Sequence, residues 1–245
     1  MYTQTITKLY EMRLNGMAKS FQERRIKPDH QDLSHEEFIA LLVDDEYQHR
    51  QNNRQRRLLR MARLKFSSAA LENIDYKQNR GITKSKIIGL QNNEWLKKHQ
   101  NILISGATGV GKSYLACAFG QWACRHGYTV YYSRWPRMLG DILAARGEGT
   151  YLKYLQKLAK VNLLIIDDFG LNSLSETDQK DLMEIIEDRY MTGSTIIASQ
   201  MPIKNWHTFI GDPTIADAVC DRLFHVANKF ELGGPSMRKK SENID

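Results

Sequence analysis

Eight consecutive residues, Gly106-Ala107-Thr108-Gly109-Val110-Gly111-Lys112-Ser113, fit the spacing G-x-x-x-x-G-K-[ST]. Each residue type has a job in holding phosphate. Glycines let backbone N–H groups turn inward around an anion with no Cβ in the way. Lys112 is suited to the β- and γ-phosphates of ATP, and the Ser113 hydroxyl to a Mg²⁺ ion. A helix starting near Lys112 adds the positive end of its dipole. Ile102 to Ser105 read as a strand running into the turn, and Tyr114 closes the stretch. Gly106 through Tyr114 is therefore the expected nucleotide contact set. A bare glycine-rich turn would require neither the strand nor the Lys-Ser pair.

A second stretch, Val161–Asp168 (VNLLIIDD), is a continuous apolar run ending in carboxylates. That pattern reads as a central parallel strand with acids at its C-terminal edge. Asp167 is the expected Mg²⁺-shell carboxylate, and Asp168 the group that orients or deprotonates an attacking water. The other reading is an Asp-Asp turn after a buried strand; Lys112-Ser113 upstream favours the first.

The elements needed to position these groups follow in order. Tyr114, Leu115, Ala118, Phe119, Trp122 and Ala123 form the buried stripe of a helix closed by His126-Gly127. Tyr128–Ser133 reads as a strand, and Pro136–Arg146 and Thr150–Lys160 as two helices. Ser175 and Asp178 cap a further helix that buries Leu182, Ile185, Ile186 and Tyr190. Ser194–Ser199 is the fourth strand, Pro213–Leu223 a helix and Phe224–Leu232 the last strand. The expected fold is α/β, a parallel sheet covered by helices, preceded by a small all-α domain.

That leading domain is assigned to residues 1–70, and the nucleotide domain to 71–245. Ile6, Leu9, Tyr10, Leu14, Met17, Ala18 and Phe21 recur at helical spacing, which predicts one helix weakened at Gly16 and ended by Lys27-Pro28-Asp29. Ser34 and Glu37 form a capping box for a helix burying Phe38, Leu41 and Leu42. Tyr47–Leu71 then holds no acid but seven bases: Arg50, Arg54, Arg56, Arg57, Arg60, Arg63 and Lys65. Arg50, Arg54 and Arg57 share one helix face, and Arg56, Arg60 and Arg63 an adjacent one. Like charges at i, i+4 repel, and phosphates of duplex DNA would relieve that repulsion. Such rows contact backbone phosphate and specify no base sequence. The alternative is a solvated basic surface.

Composition agrees with this division. The net charge is +7, and residues 1–100 hold 19 Lys/Arg against 12 Asp/Glu, whereas 101–245 hold 16 of each. Hydrophobic residues at 42% and charged residues at 26% are ordinary for a globular protein. No run approaches a membrane span, and MYTQTITKLYEMR is no secretory signal. Cys117, Cys124 and Cys220 lack metal or redox spacing and are expected to pack in a reduced, cytoplasmic setting.

LYEMRLNGMAKSF, LLIIDDFG, STIIASQMPIKNWHTFIGDPTIADAVCDRL and GGPSMRK, together with the phosphate loop, resemble the IstB family of transposition helper ATPases. These are relatives of the DnaC-type helicase loaders within the AAA+ class, and the resemblance covers nearly the whole chain. It implies a sensor-1 role for Gln200, with Ser199 the less favoured choice. It implies that Arg222 is an arginine finger reaching a neighbouring subunit's ATP, and that Arg238 is the sensor-2 arginine. Asp168 stands where most of the AAA+ class has Glu; the shorter acid implies slower turnover. The few residues after the last strand imply no helical lid domain. The helix pair between the second strand and Val161–Asp168 resembles the extra helix of the initiator/loader branch, which makes Arg134, Arg137, Arg146 and Lys153 further candidate DNA contacts.

The expected function is an ATP-dependent DNA-binding homo-oligomer of the bacterial cytoplasm. It would select target DNA and recruit or activate a transposase, with hydrolysis as a switch. The alternative is a DnaC-like loader of a replicative helicase. A metabolic kinase would leave the Arg50–Lys65 row unused, and a structural DNA-coating protein would bind ATP without hydrolysis.

Overall fold

The computed structural model describes residues 1–26, 33–76 and 80–237. The chain separates into two compact units, Met1–Arg57 and Leu58–Asp245.

The first unit holds α1 (Tyr2–Glu11), α2 (Asn15–Ile26) and the larger part of α3 (His35–Ala62). The apolar period over residues 6–21 predicts one helix, but the structure has two. The break is at Arg13, whose φ of 59° is left-handed. There the Leu14 N–H bonds back to Leu9 O at 2.8 Å, closing α1 as a left-handed C-terminal cap does. Tyr10 is consequently exposed rather than buried. α2 turns its Gly16 onto α3: a Cβ at Gly16 would lie 2.5 Å from the His49 Cβ and 2.9 Å from Asp45 O. Glu46, 6% exposed, accepts the Met17 N–H at 3.0 Å and the Arg50 Nε–H at 2.6 Å. Arg24 donates to Asp45 at 2.6 Å, which with the Ser20 hydroxyl holds that carboxylate below its usual pKa. The Ser34–Glu37 capping box forms as expected, and Phe38 stacks edge-on to Phe21 at 6.1 Å but is only half-buried, like Leu41 and Leu42. Lys27-Pro28-Asp29 lies outside the described residues.

The division between units falls inside α3, earlier than the expected boundary near residue 70. Leu58 and Ala62, on its last turns, join Ala69 and Leu71 in the core of the second unit. That unit continues through a 3₁₀ turn (Leu71–Asn73), α4 (Lys84–Leu90) and α5 (Glu94–Lys97) into β1 (Ile102–Gly106) and α6 (Lys112–Arg125). β2 (Val130–Arg134), α7 (Trp135–Gly147), α8 (Tyr151–Lys160) and β3 (Leu163–Phe169) follow. Next come α9 (Glu176–Arg189), β4 (Ser194–Ser199), a 3₁₀ turn, α10 (Trp206–Ile210), α11 (Pro213–Phe224) and β5 (Asn228–Leu232). The last strand is shorter than expected because α11 runs through Phe224.

The five strands pair in the order β2-β3-β4-β1-β5, all parallel. Alternate residues of each strand serve two cores, as the two-residue period requires. Ile102, Ile104, Ile165 and Ile196 face the layer containing α6, while Leu103, Leu164, Ile166 and Ile197 face α7, α9 and α11. This helix–sheet–helix sandwich directs every strand's C-terminal end to one edge, where β1 and β3 deliver the phosphate loop and the two aspartates. Cys117 and Cys124 are fully buried in the α6 layer, and burial pushes their thiols up to about 11 and about 12.

The Gly16 contact yields a test. Gly16→Val forces α2 away from α3 and lowers the stability of the first unit by about 1–3 kcal/mol. Urea unfolding followed at first-unit amides would show it; unchanged protection would contradict this packing.

Candidate functional site

The phosphate loop turns through three left-handed glycines, Gly106 (φ 146°), Gly109 (φ 87°) and Gly111 (φ 101°). Their reasons differ. A Cβ at Gly106 would meet Leu232 O of β5 at 2.2 Å, and one at Gly109 would meet the Ser236 hydroxyl at 2.3 Å. At Gly111 a Cβ would meet no other described residue within 4 Å apart from its neighbours along the chain. Gly111 is the N-cap of α6, so the loop's last turn combines left-handed backbone with open space at a helix N-terminus. That combination is the one that admits a phosphate.

Lys112, 8% exposed, opens α6 and donates from Nζ to Ala107 O at 2.8 Å, so its ammonium lies across the loop it serves. Ser113 is the second residue of α6 and Val110 is buried beneath the loop. Thr108 donates its hydroxyl to Gln200 Oε1 at 2.8 Å, which brings the residue after β4 to the loop. Tyr114 turns elsewhere: its hydroxyl accepts the Ala70 N–H at 3.5 Å and its ring lies 6.2 Å from Phe66. From the C-terminal side, Met237 N–H donates to Gly109 O at 2.9 Å. Arg238 lies outside the described residues.

Asp167 is 1% exposed at the end of β3. Its two oxygens accept the Tyr132 hydroxyl at 2.7 Å and the Asp168 N–H at 2.9 Å, so the carboxylate is held in place from both sides. Burial first, and then the Asp167 carboxylate, raise the Tyr132 pKa, which keeps that phenol a donor. Asp168 has a left-handed φ of 57° at an irregularity in the β3–β4 pairing. Its carboxylate accepts Arg134 Nε–H at 2.5 Å. Arg134 is 53% exposed and Asp168 18%. The hydrogen bond to Asp168 is also the main cause of a raised Arg134 pKa.

Tyr132 and Arg134 are contributions that sequence reading missed at this edge. Both sit on β2, two apart and hence on one face, and β2 pairs with β3 so that Arg134 stands beside Asp167. The alternation in Tyr132-Ser133-Arg134 was the available signal.

Arg222 is not with this group. Asn101, just ahead of β1, donates from Nδ2 to Arg222 O at 3.2 Å and Leu223 O at 3.3 Å. Arg222 therefore belongs to the edge where β1 starts, and the loop to the edge where β1 ends, roughly 15 Å apart for a strand of this length. The Arg222 guanidinium pairs with Glu187 of α9 and sits 5.8 Å from the Tyr190 ring. Tyr190, expected to be buried, lies one residue beyond α9 and is 38% exposed.

Among the other basic residues, Arg54, Arg56, Arg57 and Arg60 are exposed on α3, and Arg63 follows its end with a left-handed φ of 54°. Lys65 is exposed over the Phe66 ring at 5.5 Å. Arg50 is not uncompensated as its acid-free surroundings suggest, since it reaches back one turn to Glu46. Arg137 and Lys153 are exposed, whereas Arg146 pairs with Asp181 and stacks on Tyr151 at 3.8 Å.

The family described as IstB-like ATP binding protein matches residues 7–244. The chain belongs to this family. A Sinorhizobium fredii protein named as an insertion sequence ATP-binding protein is 43% identical over 235 residues, covering 96% of each chain. One from the Pseudomonas fluorescens insertion sequence IS1162 is 42% identical over 198 residues, covering 81% of this chain and 86% of its own. Among solved structures, DnaI has a TM-score of 0.60 at 20% identity over 73% of this chain and 94% of its own. The DnaC helicase loader has a TM-score of 0.57 at 16% identity, covering 67% and 97%. AMPPCP-bound DnaA from Aquifex aeolicus has a TM-score of 0.58 at 22% identity, covering 72% and 56%. These likenesses show a shared P-loop AAA+ fold.

If the loop holds phosphate, replacing Lys112 removes a charge-assisted contact to it while the apolar stripe of α6 stays in place. Lys112→Ala lowers ATP affinity by roughly tenfold or more with the far-UV spectrum unchanged. Titration calorimetry would measure it, and wild-type affinity would contradict the loop's assignment.

Proposed function

We propose that the protein is an ATP-dependent, DNA-bound assembly factor for transposition, in which ATP joins one copy to the next. The observation that carries this reading is the placement of Lys112 and Arg222 at opposite edges of one sheet. If Arg222 is the second cation at the γ-phosphate, it reaches that phosphate from another chain. Arg222, exposed enough to be reached and near the start of β5, is suited to supply it. Hydrolysis so arranged depends on assembly.

Within one copy, the loop N–H groups and Lys112 bind the phosphates, and Gln200, linked to Thr108, is placed to sense them. Ser113 and Asp167 would hold Mg²⁺. The fit is reasonable, because Mg²⁺ usually takes one or two protein oxygens together with substrate phosphates, and Asp167 is fixed by Tyr132 and the Asp168 N–H. The bound ion would neutralise charge on the phosphate oxygens. Asp168 would orient water and accept its proton, but in this structure its carboxylate is held by Arg134. Arg134 is also an exposed cation beside Arg137, within reach of a DNA phosphate. A phosphate that draws Arg134 away would release Asp168, which links DNA binding to hydrolysis. The exposed row that begins with Arg54 on α3 and ends with Arg63 and Lys65 just beyond that helix would supply most backbone contacts. The relatives' names as insertion sequence ATP-binding proteins support a role in transposition. We extend that role to target selection and transposase recruitment, and a helicase-loading role is the alternative that the shared fold leaves open.

ATP is expected to raise both the sedimentation coefficient and the affinity for duplex DNA. If neither moves, the assembly reading fails. Arg134→Gln is expected to raise phosphate release without DNA and to flatten its stimulation by DNA. A variant that keeps the wild-type DNA response would remove Arg134 from that link.

A further inference from the structure

At the edge of the sheet opposite the phosphate loop, a cavity of about 250 Å³ opens among the turns that precede β1, β4 and β5. Its lining includes Lys98, Arg189 and Arg222, with His99 and His225, and none of its described lining residues is acidic. Arg222 has Glu187, and Lys98 has Glu94 at 3.7 Å on the surface. Arg189 is different. It is 2% exposed, and no carboxylate pairs with it among the described residues. A guanidinium carries five N–H groups. Four of them have acceptors: Nε donates to Thr195 Oγ1 at 3.0 Å, Nη1 to Leu158 O at 2.6 Å and Val161 O at 2.9 Å, and Nη2 to Ser194 O. Among the described residues one Nη2 hydrogen has no acceptor, and the guanidinium has carbonyl dipoles around it but no counter-charge.

Two further features keep that group available. Gly193, also in the lining, has no left-handed backbone to justify it, yet a Cβ there would press within 2.7 Å of Arg189 Nη2. The glycine leaves room beside the buried guanidinium on the side of the cavity. Three residues of the lining, His99, Met191 and Val226, have left-handed φ of 53°, 57° and 57°. For β-branched Val226 that conformation is a genuine outlier, and such strain persists where surrounding structure enforces it. The mouth is apolar and open, with Met191 72%, Val226 58% and Tyr190 38% exposed.

We propose that this cavity receives a carboxylate side chain of a partner protein, an Asp or Glu flanked by apolar residues. A buried, unpaired charge with one unspent donor calls for an anionic acceptor. Tyr190, Met191 and Val226 are exposed at the mouth and can pack against apolar side chains on either side of the acid, which suits a polypeptide more than a small free acid. Duplex phosphates are a poorer match, since they meet exposed cations rather than a guanidinium behind an apolar mouth. The proposal does not depend on Arg222 acting on a neighbour's ATP.

Nitrogen-resolved NMR of the full chain tests it with two probes, acetyl-Leu-Glu-Leu-amide and its Gln counterpart. The Glu peptide is expected to shift the Arg189 Nε–H and Gly193 amide signals saturably at millimolar concentration, and the Gln peptide not. His225→Glu, an exposed substitution that places a like charge in the lining, should weaken the Glu peptide roughly tenfold. Gly193→Ala should abolish the shifts; if it unfolds the chain, the His225 variant carries the test. Equal shifts from both peptides, no shift from either, or the same shifts from a short DNA duplex would each overturn the proposal.

Discussion

The nucleotide half of the molecule depends on one backbone constraint: the chain must leave β1 and enter α6 through three left-handed positions within six residues. Only glycine does this without cost, and at two of the three the neighbouring chain removes any alternative. Leu232 O closes on Gly106 and Ser236 on Gly109. The loop is thus clamped by β5 and the segment after it, while Gly111 alone faces open space. That asymmetry, with walls on two sides and an open third side at a helix N-terminus, is suited to a phosphate.

A parallel sheet then sorts the charged groups. Every strand ends at the loop's edge, so Asp167, Asp168 and Gln200 gather there from β3 and β4, with Arg134 from β2. The opposite edge collects Arg222, Arg189 and the strained turns around them. The two edges differ in their electrostatics. At the first, each acid has a partner, Tyr132 for Asp167 and Arg134 for Asp168. At the second, Arg189 has hydrogen bonds but, among the described residues, no counter-charge. An assembly that brings the second edge of one copy to the first edge of another would join Arg222 of the one to the loop of the other.

Much of this was legible in the chain because its causes are local. The loop, the β3 aspartates, the α9 capping box and the buried stripe of α6 are set by residues within a turn or two of one another. What escaped reading depends on distant partners. α1 and α2 separate at Arg13, and α2 approaches α3 through Gly16 because of His49 and Asp45, some thirty residues on. Arg134 reads as a free base until the β2–β3 register puts it beside the aspartates. The domain boundary moves into α3 because Leu58 and Ala62 pack with residues that follow them. Arg50 is the exception, since its partner Glu46 lies one helical turn away and was there to be read.

The central claim is that each catalytic unit is built from two chains. Mixing Lys112→Ala chains with Arg222→Ala chains tests it most directly, with phosphate release from ATP as the readout. Each variant alone is expected to be inactive, and the mixture to regain activity, because some interfaces then pair an intact Lys112 with an intact Arg222. A mixture no better than its parents, or an Arg222→Ala chain that is fully active alone, would contradict the account.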